Sequence, residues 1–130
     1  MIIDTSAAVA MLRDEPESAA FIAAMDAAVS VHMSAASVLE LAMVTSASGP
    51  EVVDEFLEGI AIQVVPVDAE HLRWARHGQA TYGRGSGSPA RLNFGDCLSY
   101  GAAKALDEPL LFTGDDFIHT DVESAVPRPG

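Results

Sequence analysis

"MIIDTSAAVAML" runs from Met1 to Leu12. Its apolar opening stops at Asp4, and from Ser6 small and apolar residues recur at helical spacing. A short continuous apolar run that turns at once into a helix reads as a strand buried on both faces, followed by its crossover. The same grammar recurs outward from this stretch. The acidic turn Asp14-Glu15-Pro16 leads into an amphipathic helix, Glu17–Ala28, with Phe21, Ile22 and Met25 on one face. Val29–Met33 is a second strand, and Ser34 can cap a helix over Ala35–Ala47 with Val38, Leu41, Ala42 and Val44 or Thr45 buried. Gly49-Pro50 breaks that helix, and Glu51–Gly59 forms another. Ile60–Val67 reads as the third strand, with Asp68 capping Ala69–Tyr82. Asn93 can cap Phe94–Leu106, and Pro109–Thr113 is the fourth strand. Strands alternating with helices predict an α/β/α sandwich around a short central parallel sheet of about four to five strands. The pattern does not fix the strand order.

At 130 residues the expectation is one domain over residues 1–130. No apolar run reaches the roughly 18 residues of a membrane span. The start lacks a basic segment and carries Asp4, unlike a secretory signal. Cys97 stands alone, so no internal disulfide forms, and a reducing cytoplasmic setting is expected. "GRGSGSPA" (Gly83–Ala90) reads as a flexible loop inside the domain, and the tail from Pro127 as frayed.

The formal net charge is −12. A diffuse acidic surface excludes an ordinary basic nucleic-acid binder, unless clustered acids recruit a cation that reverses the local sign. Of 19 acids, five stand apart from turns and polar faces: Asp4, Glu40, Asp96, Asp115 and Asp116. Asp4 ends the first strand. Glu40 lies in the apolar "SVLELAMV" of the helix after the second strand. Asp96 lies in the first turn of "NFGDCLSYGAAKAL". Asp115 and Asp116 follow the fourth strand. In an open parallel sheet, strand ends and the helix starts that follow them face one edge, where ligands bind. Local duties compete: Asp4 can cap a helix, Asp96 can complete a capping box with Asn93, and Gly114-Asp115-Asp116 can be a turn. Glu40, among apolar neighbours, has no such use. Clustered carboxylates repel, and a hard oxygen-seeking ion, Mg²⁺ or Mn²⁺, relieves the repulsion. His32, His71, His77 and His119 are scattered, which argues against zinc.

"MIIDTSAAVAML", "SAASVLELAMV", "LNFGDCLSYGAAKAL" and "PLLFTGDDFIHTDV" together resemble PIN-domain ribonucleases, specifically the VapC toxins of bacterial type II (VapBC) toxin–antitoxin pairs. The resemblance covers essentially the whole chain, in order. It implies a PIN fold and Mg²⁺- or Mn²⁺-dependent endoribonuclease activity on tRNA, rRNA or mRNA, leaving 5′-phosphate and 3′-hydroxyl ends. It assigns Asp4, Glu40, Asp96 and an acid of the Thr-Gly-Asp-Asp segment to catalysis and metal binding. Asp115 fits the spacing from Thr113, and Asp116 fits the acid just before Phe117; both are carried, with a lean to Asp116. Thr5, Ser6 and Thr113 are candidate hydroxyls for orienting carboxylates or water.

Arg84, Arg91 and Asn93 are the candidate substrate contacts, with Arg73, Arg76 and Lys104 adding local positive charge. The loop before the Asn-Phe-Gly-Asp segment is less basic than in many members of that group. The resemblance further implies a VapB-type antitoxin and a homodimer, and Phe21/Ile22/Met25 and Val52/Val53/Phe56/Leu57 offer apolar faces for a partner. Two other readings stand beside it. One is a PIN-like interaction module that binds metal and cleaves nothing. The other is an aspartate-nucleophile phosphatase, which wants a second Asp where Ser6 stands.

Overall fold

A computed structural model of the chain describes residues 1–127. Of the tail expected to fray, all but Pro127 lies outside the described residues. The elements in order are β1 (Ile2–Ile3), α1 (Thr5–Leu12), α2 (Ser18–Ala27), β2 (His32–Ser34), α3 (Ala35–Val44), α4 (Glu51–Gly59), β3 (Gln63–Val65), α5 (Ala69–Tyr82), α6 (Phe94–Leu106) and β4 (Leu110–Leu111). Two 3₁₀ turns, Ser46–Ser48 and Asp116–His119, follow α3 and β4.

The four strands are all parallel, in the order β3-β2-β1-β4. Ile2 and Ile3 of β1 lie opposite Leu110 and Leu111 of β4. The period-two alternation of strand side chains then builds two cores. Ile3, Met33 and Leu111 face Ala7, Phe21, Leu41 and Phe56, from the helices α1–α4. Ile2, Leu110 and Phe112 face Ala75, Tyr100 and Ala103, from α5 and α6. Each fully buried Leu or Ile contributes about 1.5–3 kcal/mol by leaving water.

Three strands are shorter than expected: β2, β3 and β4, the last covering only Leu110–Leu111 of Pro109–Thr113. Val29, expected in β2, is fully exposed just beyond α2. Ile60 caps the end of α4, and Pro66 follows β3 without an N–H for the ladder, so only Gln63–Val65 pair. Ser34 stands at the start of α3, but its side chain makes no capping bond. Phe21, Met25, Val53 and Phe56, expected as partner-facing, are spent on the core; Ile22 alone of those two faces is exposed.

α5 and α6 approach closely because each puts a glycine at the contact. A Cβ on Gly78 would meet the Tyr100 ring at 2.5 Å, and one on Gly101 would meet the His71 carbonyl oxygen at 2.6 Å. The loop between these helices is closed at its base, where the Leu92 N–H donates to the Tyr82 carbonyl at 2.9 Å and the Arg84 N–H to the Leu92 carbonyl at 3.2 Å. The expected flexible stretch is internally stitched: Ser86 Oγ donates to the Gly83 carbonyl at 2.6 Å and accepts from the Ser88 N–H at 3.2 Å. Hydroxyls of this spacing substitute for a backbone turn, which composition alone does not reveal.

Candidate active site

The strand order reverses between β1 and β4, so a crevice opens at their carboxyl ends. Asp4 stands there. It is the N-cap of α1, its backbone is extended, and only 4% of it is exposed. A buried carboxylate is costly unless its lone pairs are met. Asp4 Oδ2 accepts from the Ser6 N–H at 3.0 Å and from Ser6 Oγ at 2.6 Å. Asp4 Oδ1 accepts from Ser99 Oγ at 2.5 Å, and Ser99 Oγ lies 3.1 Å from Ser37 Oγ. Ser6 Oγ also accepts the Thr113 N–H at 3.1 Å. One serine hydroxyl thereby ties the end of β1 to the end of β4. Thr5 Oγ1 donates to the Ser37 carbonyl at 3.3 Å, joining α1 to α3. The contribution of Thr113 to this lattice is its backbone N–H.

Asp96 starts α6 in a reciprocal capping box. Its N–H donates to Asn93 Oδ1 at 2.8 Å, and its Oδ2 accepts the Asn93 N–H at 3.0 Å. Its pKa is raised to about 6. Burial is the main cause; the Asn93 N–H opposes it, and the charges of Asp4, Asp116 and Glu40 push it further up. Those three acids come from the end of β1, the turn after β4 and the second turn of α3. Glu40 reaches α6 itself: a Cβ built on Gly95 would collide with its carboxylate. Asp116 is exposed on the 3₁₀ turn that Asp115 initiates.

Among the described residues, no three histidine, cysteine, aspartate or glutamate side chains form a group that could hold a metal ion, so the expected set Asp4, Glu40, Asp96 and Asp116 is not gathered into one. The charges of Asp4, Asp116 and Glu40 nevertheless act on Asp96. The donors of these four acids are all oxygen, which fits a hard cation that keeps several of its waters. Cys97, next to Asp96, is buried, and burial followed by the Asp96 charge pushes its thiol pKa up. A protonated thiol is a poor nucleophile and a poor zinc ligand.

The basic residues divide. Arg73 pairs with Glu70 at 2.7 Å, and Lys104 with Asp121 at 3.1 Å; both cations also lie over the Trp74 ring. Arg76, Arg84 and Arg91 are exposed and carry no ion pair among the described residues. Arg76 and Arg84 line a hollow of about 460 Å³ beside Asn93 and Phe94. Arg91 adopts φ 51°, a left-handed conformation that costs a non-glycine residue roughly 1 kcal/mol.

The sequence profile of the PIN domain matches residues 1–123. The chain belongs to the PIN-domain family. Several curated relatives match this PIN domain almost end to end. Ribonuclease VapC28 of Mycobacterium tuberculosis is 47% identical, over 98% of this chain and 99% of its own. Ribonuclease VapC30 of the same species is 48% identical, over 94% and 95%. VapC ribonuclease Mb2780c of Mycobacterium bovis is 45% identical, over 96% and 98%. The all-parallel four-stranded sheet flanked by six helices is the architecture expected of a PIN domain.

Three residues of this site, Ser99, Ser37 and Gly95, carry little signal in the sequence. Ser99 follows Asp96 at i+3, so the two share a helix face; that spacing is the one signal for the Asp4 contact. Ser37 supports Ser99. Gly95 makes room for Glu40, and only its position beside Asp96 hinted at that. Among the described residues, no helix is long and apolar enough to cross a membrane.

Proposed function

We propose that this PIN domain, acting as one unit over residues 1–130, is a metal-dependent endoribonuclease of the VapC toxin type. The observation that carries the reading is the convergence of the Asp4, Asp116 and Glu40 charges on Asp96, in a chain whose relatives are named VapC ribonucleases. Asp4, Asp96, Glu40 and Asp116 are the residues that would hold Mg²⁺ or Mn²⁺. An ion bound there supplies positive charge for the scissile phosphate and acidifies a water.

The remaining work falls to the chain. Ser6 and Ser99 hold the Asp4 carboxylate in one orientation, and Asn93 does the same for Asp96. Glu40 or Asp116 takes the proton of the attacking water. Asp115 flanks this pair, and the indispensable role is assigned to Asp116, whose charge reaches Asp96. Attack on phosphorus with departure of the ribose 3′ oxygen leaves 5′-phosphate and 3′-hydroxyl ends. Arg84, Arg91 and Asn93 contact the substrate, and Thr5 and Thr113 keep α1 and β4 in register around the site. Unpaired stretches of tRNA, rRNA or mRNA are the fitting substrates, since proteins read RNA where bases are splayed. The chain works in the cytoplasm as a homodimer, held inactive by a cognate VapB-type antitoxin.

The test is incubation of antitoxin-free protein with pooled tRNA and rRNA in Mg²⁺, Mn²⁺ or EDTA, followed by mapping of fragment ends. Discrete metal-dependent fragments with 5′-phosphates are expected. Intact RNA in the presence of folded, metal-bound protein would favour a non-cleaving interaction module.

A further inference from the structure

Between the start of α2 and the end of β4 lies a cavity of about 220 Å³. It adjoins the candidate active site: Thr113 and Gly114 belong to its wall, and Asp116 follows Gly114 by two residues. Thr113 also gives its N–H to Ser6 Oγ, the hydroxyl that holds Asp4. Gly114 is left-handed at φ 79°, and a Cβ built there would meet nothing within 4 Å, so the chain turns with open space on that side. Phe21 of α2 and Phe112, just past β4, are the aromatic walls, each 5% exposed. The Phe112 ring is held against Phe117, with centroids 5.2 Å apart. Rigid aromatic walls suit a flat ligand. An apolar cavity of about 150 Å³ is enough to take up benzene, so this one has room for a purine.

The polar part of the lining narrows the choice. Glu17 stands at the N-cap of α2, yet its side chain makes no capping bond and carries no ion pair among the described residues. A carboxylate offers acceptors only. Ser124 spends its hydroxyl hydrogen on the Val126 carbonyl at 2.7 Å, which leaves it an acceptor as well. The fitting ligand is therefore flat and rich in donors. Among the RNA bases, guanine alone sets two adjacent donors, N1–H and the 2-amino group, on its Watson–Crick edge, and one carboxylate takes both.

We infer that this cavity is a guanine subsite: a guanine of single-stranded RNA beside the scissile phosphate packs against Phe21 and Phe112 and gives its N1–H and 2-amino group to Glu17. The inference rests on the nuclease reading and adds to it the base that sets the position of cleavage. An arginine side chain from a protein carries a similar fork of donors, but a guanidinium fills only part of this volume.

The experiment measures binding of labelled oligo(U) carrying one central guanosine, inosine or adenosine, by fluorescence anisotropy in Ca²⁺, an oxygen-seeking ion. Inosine keeps the ring and N1–H and lacks only the 2-amino group. Wild type, Glu17→Gln and Glu17→Ala are compared, with melting temperatures in parallel, and unlabelled GMP and arginine amide serve as competitors. Wild type binds the guanosine strand about ten- to a hundredfold more tightly than the adenosine strand, the size expected of hydrogen bonds to a charged group, and the inosine strand falls between. Both variants bind the three strands alike at unchanged melting temperature. GMP competes, more weakly than the strand, and arginine amide does not. Four results overturn the inference: no preference of wild type for guanosine, a preference that survives in both variants, GMP that binds as tightly as the strand, which would make this a free-nucleotide site, or displacement by arginine amide and not by GMP, which would make it a seat for a protein partner. Cleavage of pooled RNA by wild type is read separately. Cleavage without a guanosine preference in binding removes this inference alone, whereas Glu17-dependent guanosine binding without cleavage removes the nuclease reading alone.

Discussion

Ser99 Oγ donates to Asp4 Oδ1 at 2.5 Å across 95 residues of sequence. That bond fastens α6, which carries Asp96, to the end of β1, which carries Asp4. Replacing Ser99 by Ala removes a donor from a carboxylate that is 4% exposed. A buried acceptor left unmet costs about 1–3 kcal/mol, so Ser99→Ala lowers stability by that amount in metal-free urea denaturation. Groups that orient metal ligands typically control affinity by about ten- to a hundredfold. Metal titration calorimetry of the variant should show a loss in that range.

The Asp96 carboxyl, with its pKa near 6, holds its proton more tightly folded than unfolded, where about 3.9 is usual. A raised acid stabilises the fold fully below the unfolded value, and that contribution is lost as pH rises through the folded one. The metal-free melting temperature therefore declines between about pH 4 and 6. Asp96→Asn keeps an oxygen for the Asn93 N–H but carries no charge, and the difference between the two proteins' melting curves isolates this decline. Metal binding requires the ionised acid, so affinity of wild type rises through the same window. A melting difference that does not change with pH would count against the raised Asp96 pKa.

Gly95 lies against Glu40. Gly95→Ala puts a methyl group where the carboxylate sits, within a helix that tolerates alanine well. The fold should survive, with an unchanged circular dichroism spectrum, while Glu40 is displaced. Displacing a catalytic group by about an ångström costs roughly a hundredfold in rate, and RNA cleavage should fall by that order. A variant with wild-type cleavage would show that Glu40 has no role in the reaction.

The alternation of apolar runs and helical spacings carried the architecture, and five acids stood out from it. Asp4 and Asp96 both perform the local duties expected of them, and the charge of Asp4 still acts on Asp96. Asp4 caps α1 through Ser6, and Asp96 closes a capping box. A carboxylate offers about four lone-pair sites, enough for a cap and a further partner. Ser99 left only its three-residue spacing from Asp96 as a signal, because its partner Asp4 is remote in sequence. Val29 misled because an apolar residue at a helix end looks the same as one in a strand; sheet pairing, settled between β1 and β3, decided where β2 begins. Arg73 and Lys104 looked available for RNA, and only the folded positions of Glu70 and Asp121 show them engaged.

If acids from four segments form one oxygen-ligand metal site built on Asp96, metal binding and cleavage depend on that one carboxylate. Electron paramagnetic resonance during titration of Mn²⁺ into wild type and Asp96→Asn tests it most directly, with RNA cleavage followed in the same samples. Wild type should give a bound Mn²⁺ signal that is lost in the variant, together with the cleavage. Equal Mn²⁺ binding by the two proteins, or cleavage that persists in Asp96→Asn, would contradict it.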